Sequence, residues 1–352
     1  MPASAPSPTR SNSERGRCFA AALVAVACWV VAEPTPAQTR TPLCPQKSVR
    51  LLVGFPPGGG TDVYARLLAH ELSAYFGQQF VVENRPGAAG SIAAEALLNA
   101  RPDGCTWLVV SAAFASATAW TAGGDPLANV APVTRIAQAP NLLVVHPSLP
   151  VRDARAFVDF VRARPGDVPI GTAGNGTVSH LAVELLKARV PRLQPVIVPY
   201  KGNGPAILDL VSGEISALFA TTPGLVTHLA NRRLRALAVA SAQRTRLLPD
   251  LPTLAEAGID GVDATSWSGI VAHAATDYDR ITRLQVAVGE TLKSRTFVAR
   301  LAAQGADPVG DTADDFRVFL RAEIERWSRL GRALGTPRSR LDVHQSPRRS
   351  TA

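Results

Sequence analysis

The segment Phe55-Pro56-Pro57-Gly58-Gly59-Gly60-Thr61-Asp62 has the residue types needed to hold an anion on its own main chain. Glycine lacks a Cβ, so successive N–H groups can stand open to a ligand. An apolar run at 49–55 (VRLLVGF) precedes the turn. A helix-period run at 62–73 follows, with Val63, Leu67, Leu68 and Leu72 on one face. The glycines thus join a strand end to a helix N-terminus, where free amides and the helix dipole favour negative charge. Thr61 or Asp62 can cap that helix. Taken alone, the same residues also make a plain tight strand–helix turn. A second turn, Gly171-Thr172-Ala173-Gly174-Asn175-Gly176-Thr177, has the same setting. There the hydroxyls of Thr172 and Thr177 add donors, and His180 falls in the first helical turn. A third, Pro199-Tyr200-Lys201-Gly202-Asn203-Gly204-Pro205, sits at another strand end. The chemistry on offer is capture of a carboxylate by main-chain amides. Ligands of open α/β sheets sit beyond the carboxyl ends of the strands, so two facing sheets would bring both glycine turns to one cleft.

Nucleotide binding and catalysis find little support. Gly58-Gly59-Gly60-Thr61-Asp62 is neither G-x-G-x-x-G nor a P-loop, and Gly174-Asn175-Gly176 lacks a third glycine at the required spacing. H-E-x-x-H, C-x-x-C and G-x-S-x-G are absent. His180 and Glu184 are spaced to share a metal, but no third ligand stands out, so a capping or core role is expected for His180. His70, His146, His228 and His273 are scattered. Tyr200 and Trp267 stay open between packing and cleft wall. No catalytic residue, metal or cofactor is assigned.

The turns need strands and helices to aim them, and the chain alternates accordingly. Strands are expected at 49–55, 80–83 and 107–111, with helices at 62–73 and 91–100, an order that implies a parallel sheet covered on both faces. The alternation restarts with strands at 142–146, 168–172, 195–199, 215–220 and 234–241. Helices at 154–164, 178–188 and 205–212 lie between them. One more strand, 268–273, and helices to 330 follow. The late helices have no sheet of their own, so the second unit reads as an insertion into the first.

At 352 residues, 46% hydrophobic and 18% charged, the chain is globular and long enough for two domains. Nearly half of the net charge of +9 lies at one end: residues 332–352 carry five Arg against Asp342. The body has no basic stripe interleaved with aromatics, so nucleic acid is not an expected partner. Arg10, Arg15 and Arg17 precede an apolar run at 18–32, then small residues up to Ala37. This reads as a secretory signal, 1–37, cleaved near Ala37. A membrane anchor or a lipoprotein site at Ala27-Cys28 are the alternatives. Cleavage leaves Cys44 and Cys105 in an oxidising compartment. One lies just before the first strand and the other opens the third, so they can meet as a disulfide; the other reading is two unrelated thiols.

The segments 45–47, 55–62 and 65–66 resemble the start of the exported receptors of tripartite tricarboxylate transporters, the Bug-type receptors. So do Val82-Glu83-Asn84-Arg85-Pro86-Gly87-Ala88-Ala89-Gly90 and Pro102-Asp103-Gly104. The likeness continues through Gly174-Asn175-Gly176-Thr177, His180-Leu181, Pro199-Tyr200-Lys201-Gly202, Gly204-Pro205-Ala206, 234–239, 251–258 and Ala264-Thr265-Ser266-Trp267. It covers about residues 45–330. The resemblance implies an α/β, two-lobed, type II periplasmic binding-protein fold, each lobe a doubly wound, mostly parallel sheet, with a two-strand hinge. Lobe 1 is expected at 43–142 and 244–331, lobe 2 at 143–243, and a basic tail at 332–352. The ligand implied is a small organic acid, with one carboxylate on the turn matching Gly174–Thr177 and the other end near the turn matching Pro57–Thr61. Phe55, Tyr200, Gly202, Thr221 and Trp267 are further wall candidates, beside Pro57, Gly58, Gly59, Gly60, Thr61, Asp62, Thr172, Gly174, Asn175, Gly176, Thr177 and His180.

The implied setting is a monomer in the periplasm, delivering to permease subunits in the membrane. The lobes would close about strands near 142–146 and 234–241. Three features depart from the family pattern: Cys105 replaces the usual aromatic, residues 111–130 match poorly, and Ala220-Thr221-Thr222-Pro223 lacks an Asp often found there. The last disfavours a ligand bearing an ammonium group. An exported enzyme on the same fold is the alternative reading, and a cytoplasmic effector-binding regulator a more distant one.

Overall fold

The computed structural model describes residues 42–46, 48–120, 125 and 127–333. The expected signal segment lies outside them, as do nearly all of the basic tail and part of the stretch 111–130. The chain opens as β1 (Ser48–Val53), α1 (Gly60–Phe76), β2 (Gln79–Asn84), α2 (Ser91–Leu98) and β3 (Thr106–Ser111). A helix absent from the sequence expectation, α3 (Ala112–Trp120), leads to β4 (Val130–Val145). Then come α4 (Ala154–Arg162), β5 (Pro169–Thr172), α5 (Val178–Arg189), β6 (Val196–Pro199), α6 (Asn203–Ser212), β7 (Ala217–Thr221), α7 (Val226–Ala230) and β8 (Arg235–Ala240). The last part is β9 (Thr265–His273), α8 (Tyr278–Lys293), α9 (Arg295–Ala302), β10 (Asp307–Pro308) and α10 (Ala313–Ala333).

β1 pairs in parallel with β2 and β3, and β5 pairs in parallel with β6 and β7. The parallel arrangement expected from the alternation stops there. β9 runs antiparallel to β3 and β4, and β4 runs antiparallel to β7 and β8. Apolar runs this short do not reveal strand direction, which is set by the crossovers.

β4 joins the two sheets. Up to Pro140 it pairs with β9; from Asn141 it pairs with β7 and β8. Its first part carries Pro132 and shifts register twice, which hides a strand from pattern reading. The return crossing is at Ala264, whose N–H donates to Ala240 O at 2.8 Å, while Asn141 Nδ2 donates to Ala264 O at 2.6 Å. Before that, Val239 N–H donates to Pro252 O and Leu254 N–H to Val239 O. The chain therefore stays beside β8 well past 244, where the return was expected. The strands at 142–146 and 234–241, expected as the crossings, both lie within the second sheet.

Each sheet is covered on both faces. Val49, Leu51, Val53, Trp107 and Val109 pack with α1, α8 and α9, while Leu108 and Val110 face the other way, into a core with Phe316 and Leu320 of α10. In the second sheet Leu143, Val145 and Phe219 meet α4 and α5, and Leu142, Val144 and Leu218 meet α6. Alternate residues of one strand thus serve opposite cores. On α4, Ala154, Phe157, Val158 and Val161 are buried at helical spacing, and Asp153 caps the helix by accepting from Ala156 N–H at 2.8 Å.

Cys44 and Cys105 are joined by a disulfide with Cα atoms 4.9 Å apart. It ties the lead-in to β1 to the start of β3 and closes a loop with a sequence separation of 61. The chain-entropy account sets its contribution at about 4 kcal/mol, with measured cases nearer 2–4. Cys105→Ser is expected to lower unfolding free energy by about 2–4 kcal/mol in urea titration.

Candidate functional site

The first glycine turn is braced from inside. Asp62 is buried, and its Oδ2 accepts from Gly58 N–H at 3.0 Å and from Arg66 Nε at 3.0 Å. Its Oδ1 accepts from Asn84 Nδ2 at 2.8 Å, and the same Nδ2 donates to Phe55 O at 2.9 Å. Asp62 is therefore a strut for the turn, and the Gly58 amide is occupied by the chain itself. Gly58 has φ +88, a conformation that needs glycine. α1 starts at Gly60, and the first helical bond is from Val63 N–H to Gly59 O. The amides of the first helical turn before it have no intrahelical acceptor, and Gly59, Gly60 and Thr61 stand at the pocket wall.

The second turn is braced in the same manner. Thr177 caps α5: its Oγ1 accepts from His180 N–H and donates to Gly174 O at 2.7 Å. Ser179 Oγ accepts from Ala173 N–H at 2.7 Å. Gly176 O accepts from Ser116 Oγ, and Gly176 N–H donates to His180 Nδ1 at 3.4 Å. Around this turn Ala173, Thr177, Val178 and Ser179 stand at the pocket wall, while Gly174, Asn175 and Gly176 do not.

The two helix N-termini meet across one pocket of about 590 Å3, part of it open to solvent. From the first turn come Phe55, Gly59, Gly60, Thr61 and, one helical turn on, Tyr64. From the second come Ala173, Thr177, Val178 and Ser179. The third contributes Asn203, and β7 contributes Thr221. The floor is the crossing itself: Ala139 and Asn141 of β4, Ser266 and Ser268 of β9, Ser111 at the end of β3 and Ala113 at the start of α3. The wall has hydroxyls and carboxamides and, among the described residues, no acidic, basic or imidazole side chain. A second hollow, about 1080 Å3 with some open solvent, lies between α2, β3 and α3 and shares Phe55 and Ser111. Its wall is mostly apolar, and none of its residues carries a buried polar atom without a partner.

Of the expected site residues, Phe55, Gly59, Gly60, Thr61, Thr177 and Thr221 line the pocket. The others stand elsewhere. Asn175 is exposed, and Thr172 is fully buried beneath the turn. A Cβ on Gly174 would stand 2.7 Å from Tyr200 O, and one on Gly202 would stand 2.8 Å from Pro56 Cδ, so both glycines permit close backbone packing. Pro57 presents its carbonyl to Gly204. Tyr200 lays its ring over Gly171 and donates its hydroxyl to Asp209 Oδ2 at 2.7 Å; burial, then that bond, pushes its pKa up to about 12. Trp267 turns away from the cleft, packing on Phe316 and Phe319 with Nε1 donating to Glu323 Oε2 at 3.0 Å. Its neighbours Ser266 and Ser268 take the cleft face by strand alternation.

His180 is a covering residue for the turn. Burial holds its pKa below the ordinary imidazole value, against the pull of Glu184 and with Lys187 adding to the depression. Among the described residues no cluster of three metal-ligating side chains occurs. A depressed folded pKa means the unfolded chain takes up the proton first. Stability is therefore full above about pH 6.5 and falls as pH drops from there through the lowered folded value. His180→Gln keeps an acceptor but no titration, so its melting temperature is expected to fall less between about pH 7 and about pH 5. Equal slopes in the two proteins would remove that role.

A family model described as the tripartite tricarboxylate transporter family receptor, TctC, matches residues 64–336. The chain belongs to this receptor family. TctC receptors are periplasmic solute-binding proteins for transport rather than enzymes. The chain is 36% identical over 309 residues to protein BugT of Bordetella pertussis, across 87% of this chain and 93% of BugT. An R. palustris protein determined with adipate superposes with TM-score 0.79 at 35% identity, across 83% of this chain and 98% of that one. MatC of Rhodopseudomonas palustris, with bound malate, superposes with TM-score 0.76 at 29% identity, across 81% and 99%. These likenesses give this TctC receptor the α/β periplasmic binding-protein fold.

Proposed function

We propose that this receptor captures a small dicarboxylate that carries no ammonium group. The observation that carries the reading is the pocket wall: two helix N-termini, hydroxyls and carboxamides, and, among the described residues, no charged side chain. Helix amides and hydroxyls suit carboxylate oxygens. An ammonium group would lose its water without meeting a carboxylate, which costs several kcal/mol. Adipate and malate, found with two similar proteins, are both dicarboxylates without an ammonium group.

The chain would be exported, with residues 1–37 removed, and would hand its ligand to permease subunits. The two sheets would close on the ligand by flexing where β4 passes from β9 to β7 and where the chain returns at Ala264. Ligand contacts from both sides favour the closed form. Thermal shift against acids, amino acids and sugars tests the reading. A dicarboxylate at a hundred times its dissociation constant is expected to stabilise the protein by about 2.7 kcal/mol, with aspartate and glutamate giving no shift. Stabilisation by amino acids or neutral sugars alone would overturn it.

A further inference from the structure

Tyr64 stands in the pocket wall on α1, four residues after Gly60, with its ring 3.7 Å from where a Cβ on Gly60 would be. It is only 3% exposed, and its hydroxyl is buried without a hydrogen-bond partner. Buried hydroxyls are nearly always paired, because leaving one unpaired costs free energy. Burial, and then the Asp307 carboxylate, raise its pKa well above the ordinary tyrosine value, so the group is neutral and a donor. From the other sheet the same pocket is lined by Asn203, whose Oδ1 also lacks a partner, and by Thr177, Val178 and Ser179 at the start of α5. Thr221 Oγ1 accepts from Asn203 Nδ2 at 3.2 Å, and turning the amide over lets Thr221 donate to Oδ1 and frees both N–H groups for an anion. The occupant that satisfies both walls has acceptor oxygens at each end.

We propose that Tyr64 is the specificity-determining residue of the cleft, donating to the second carboxylate of the ligand, the one far from α5. The assignment rests on the receptor reading above. It makes the site a selector of diacids: a monocarboxylate of matching length reaches α5 and leaves the Tyr64 hydroxyl unpaired. In the unliganded protein that unpaired hydroxyl is a cost to the fold, and the bound diacid removes it.

The test has two readouts that move in opposite directions. Dissociation constants are measured for straight-chain diacids from succinate to suberate and for monocarboxylates of the same lengths, with the wild type and with Tyr64→Phe. The melting temperature is recorded without ligand. The diacid is expected to bind Tyr64→Phe about tenfold to about a hundredfold more weakly, with monocarboxylate affinity unchanged. The unliganded variant is expected to melt at the same or a higher temperature, since only a partnerless oxygen is removed. A diacid affinity unchanged in Tyr64→Phe would overturn the assignment while leaving the receptor reading intact. Equal losses for diacid and monocarboxylate, or a lower melting temperature, would make Tyr64 a packing residue. If no acid of either kind binds the wild type, the receptor reading and this inference both fail.

Discussion

Thr177→Asp is expected to abolish carboxylate binding while the protein stays folded. Thr177 caps α5, with Oγ1 accepting from His180 N–H. Asp is at least as good an N-cap as Thr, and its charge suits the helix N-terminus, which offsets the loss of the bond that Thr177 Oγ1 donates to Gly174 O. The new carboxylate, however, lies in the wall beside Val178 and Ser179, where a ligand carboxylate is to sit. Two such charges about 4 Å apart repel by about 4 kcal/mol at an effective dielectric of 20. Partial screening by solvent still leaves a loss of at least about a hundredfold. Thr177→Asn caps equally well and adds no charge, so its affinity should stay within about tenfold of the wild type. Calorimetric titration of the two variants side by side makes the comparison. Equal affinities would detach the α5 terminus from ligand binding.

Gly204→Ala is expected to weaken binding about tenfold by obstructing closure rather than by touching the ligand. Gly204 lies in the first turn of α6, and a Cβ there would stand 2.8 Å from Pro57 O. The contact joins the third turn to the first, that is, one sheet's loops to the other's. Gly202 and Gly224 make similar approaches to Pro56 and to Gly58 O, but both have positive φ, so substituting them adds backbone strain. Gly204 has no such constraint, and alanine favours the helix by a few tenths to about 1 kcal/mol. The variant should bind more weakly and show a larger radius of gyration with saturating ligand by X-ray scattering. Wild-type affinity in Gly204→Ala would mean that this contact does not report closure.

The glycine turns were legible in the sequence because they combine two local signals, a strand end and a helix start, around residues with one physical use. The cleft floor was not. Ser266, Ser268 and Asn141 are ordinary residues whose position on a strand face decides their role, and Trp267, more conspicuous in the sequence, points the other way by one step of alternation. β4 was read only from 142 because Pro132 and two register shifts break its pattern, although Val130–Val145 is one strand. α3 escaped because its run of Ala, Ser and Thr has weak helical periodicity. Tyr64 sits among Val63, Leu67 and Leu68 and reads as core; only the missing partner of its hydroxyl marks it out. In the sequence Asp62 reads as a cap or a ligand contact, and the strut it forms depends on Asn84, which arrives from another strand.

A crystal structure of the protein with its best-stabilising diacid locates both carboxylates. One carboxylate is expected within hydrogen-bond distance of the Val178 and Ser179 amides and the other facing α1 and Tyr64. A diacid seated on basic side chains outside the pocket, or held with both carboxylates away from the two helix starts, would contradict that placement.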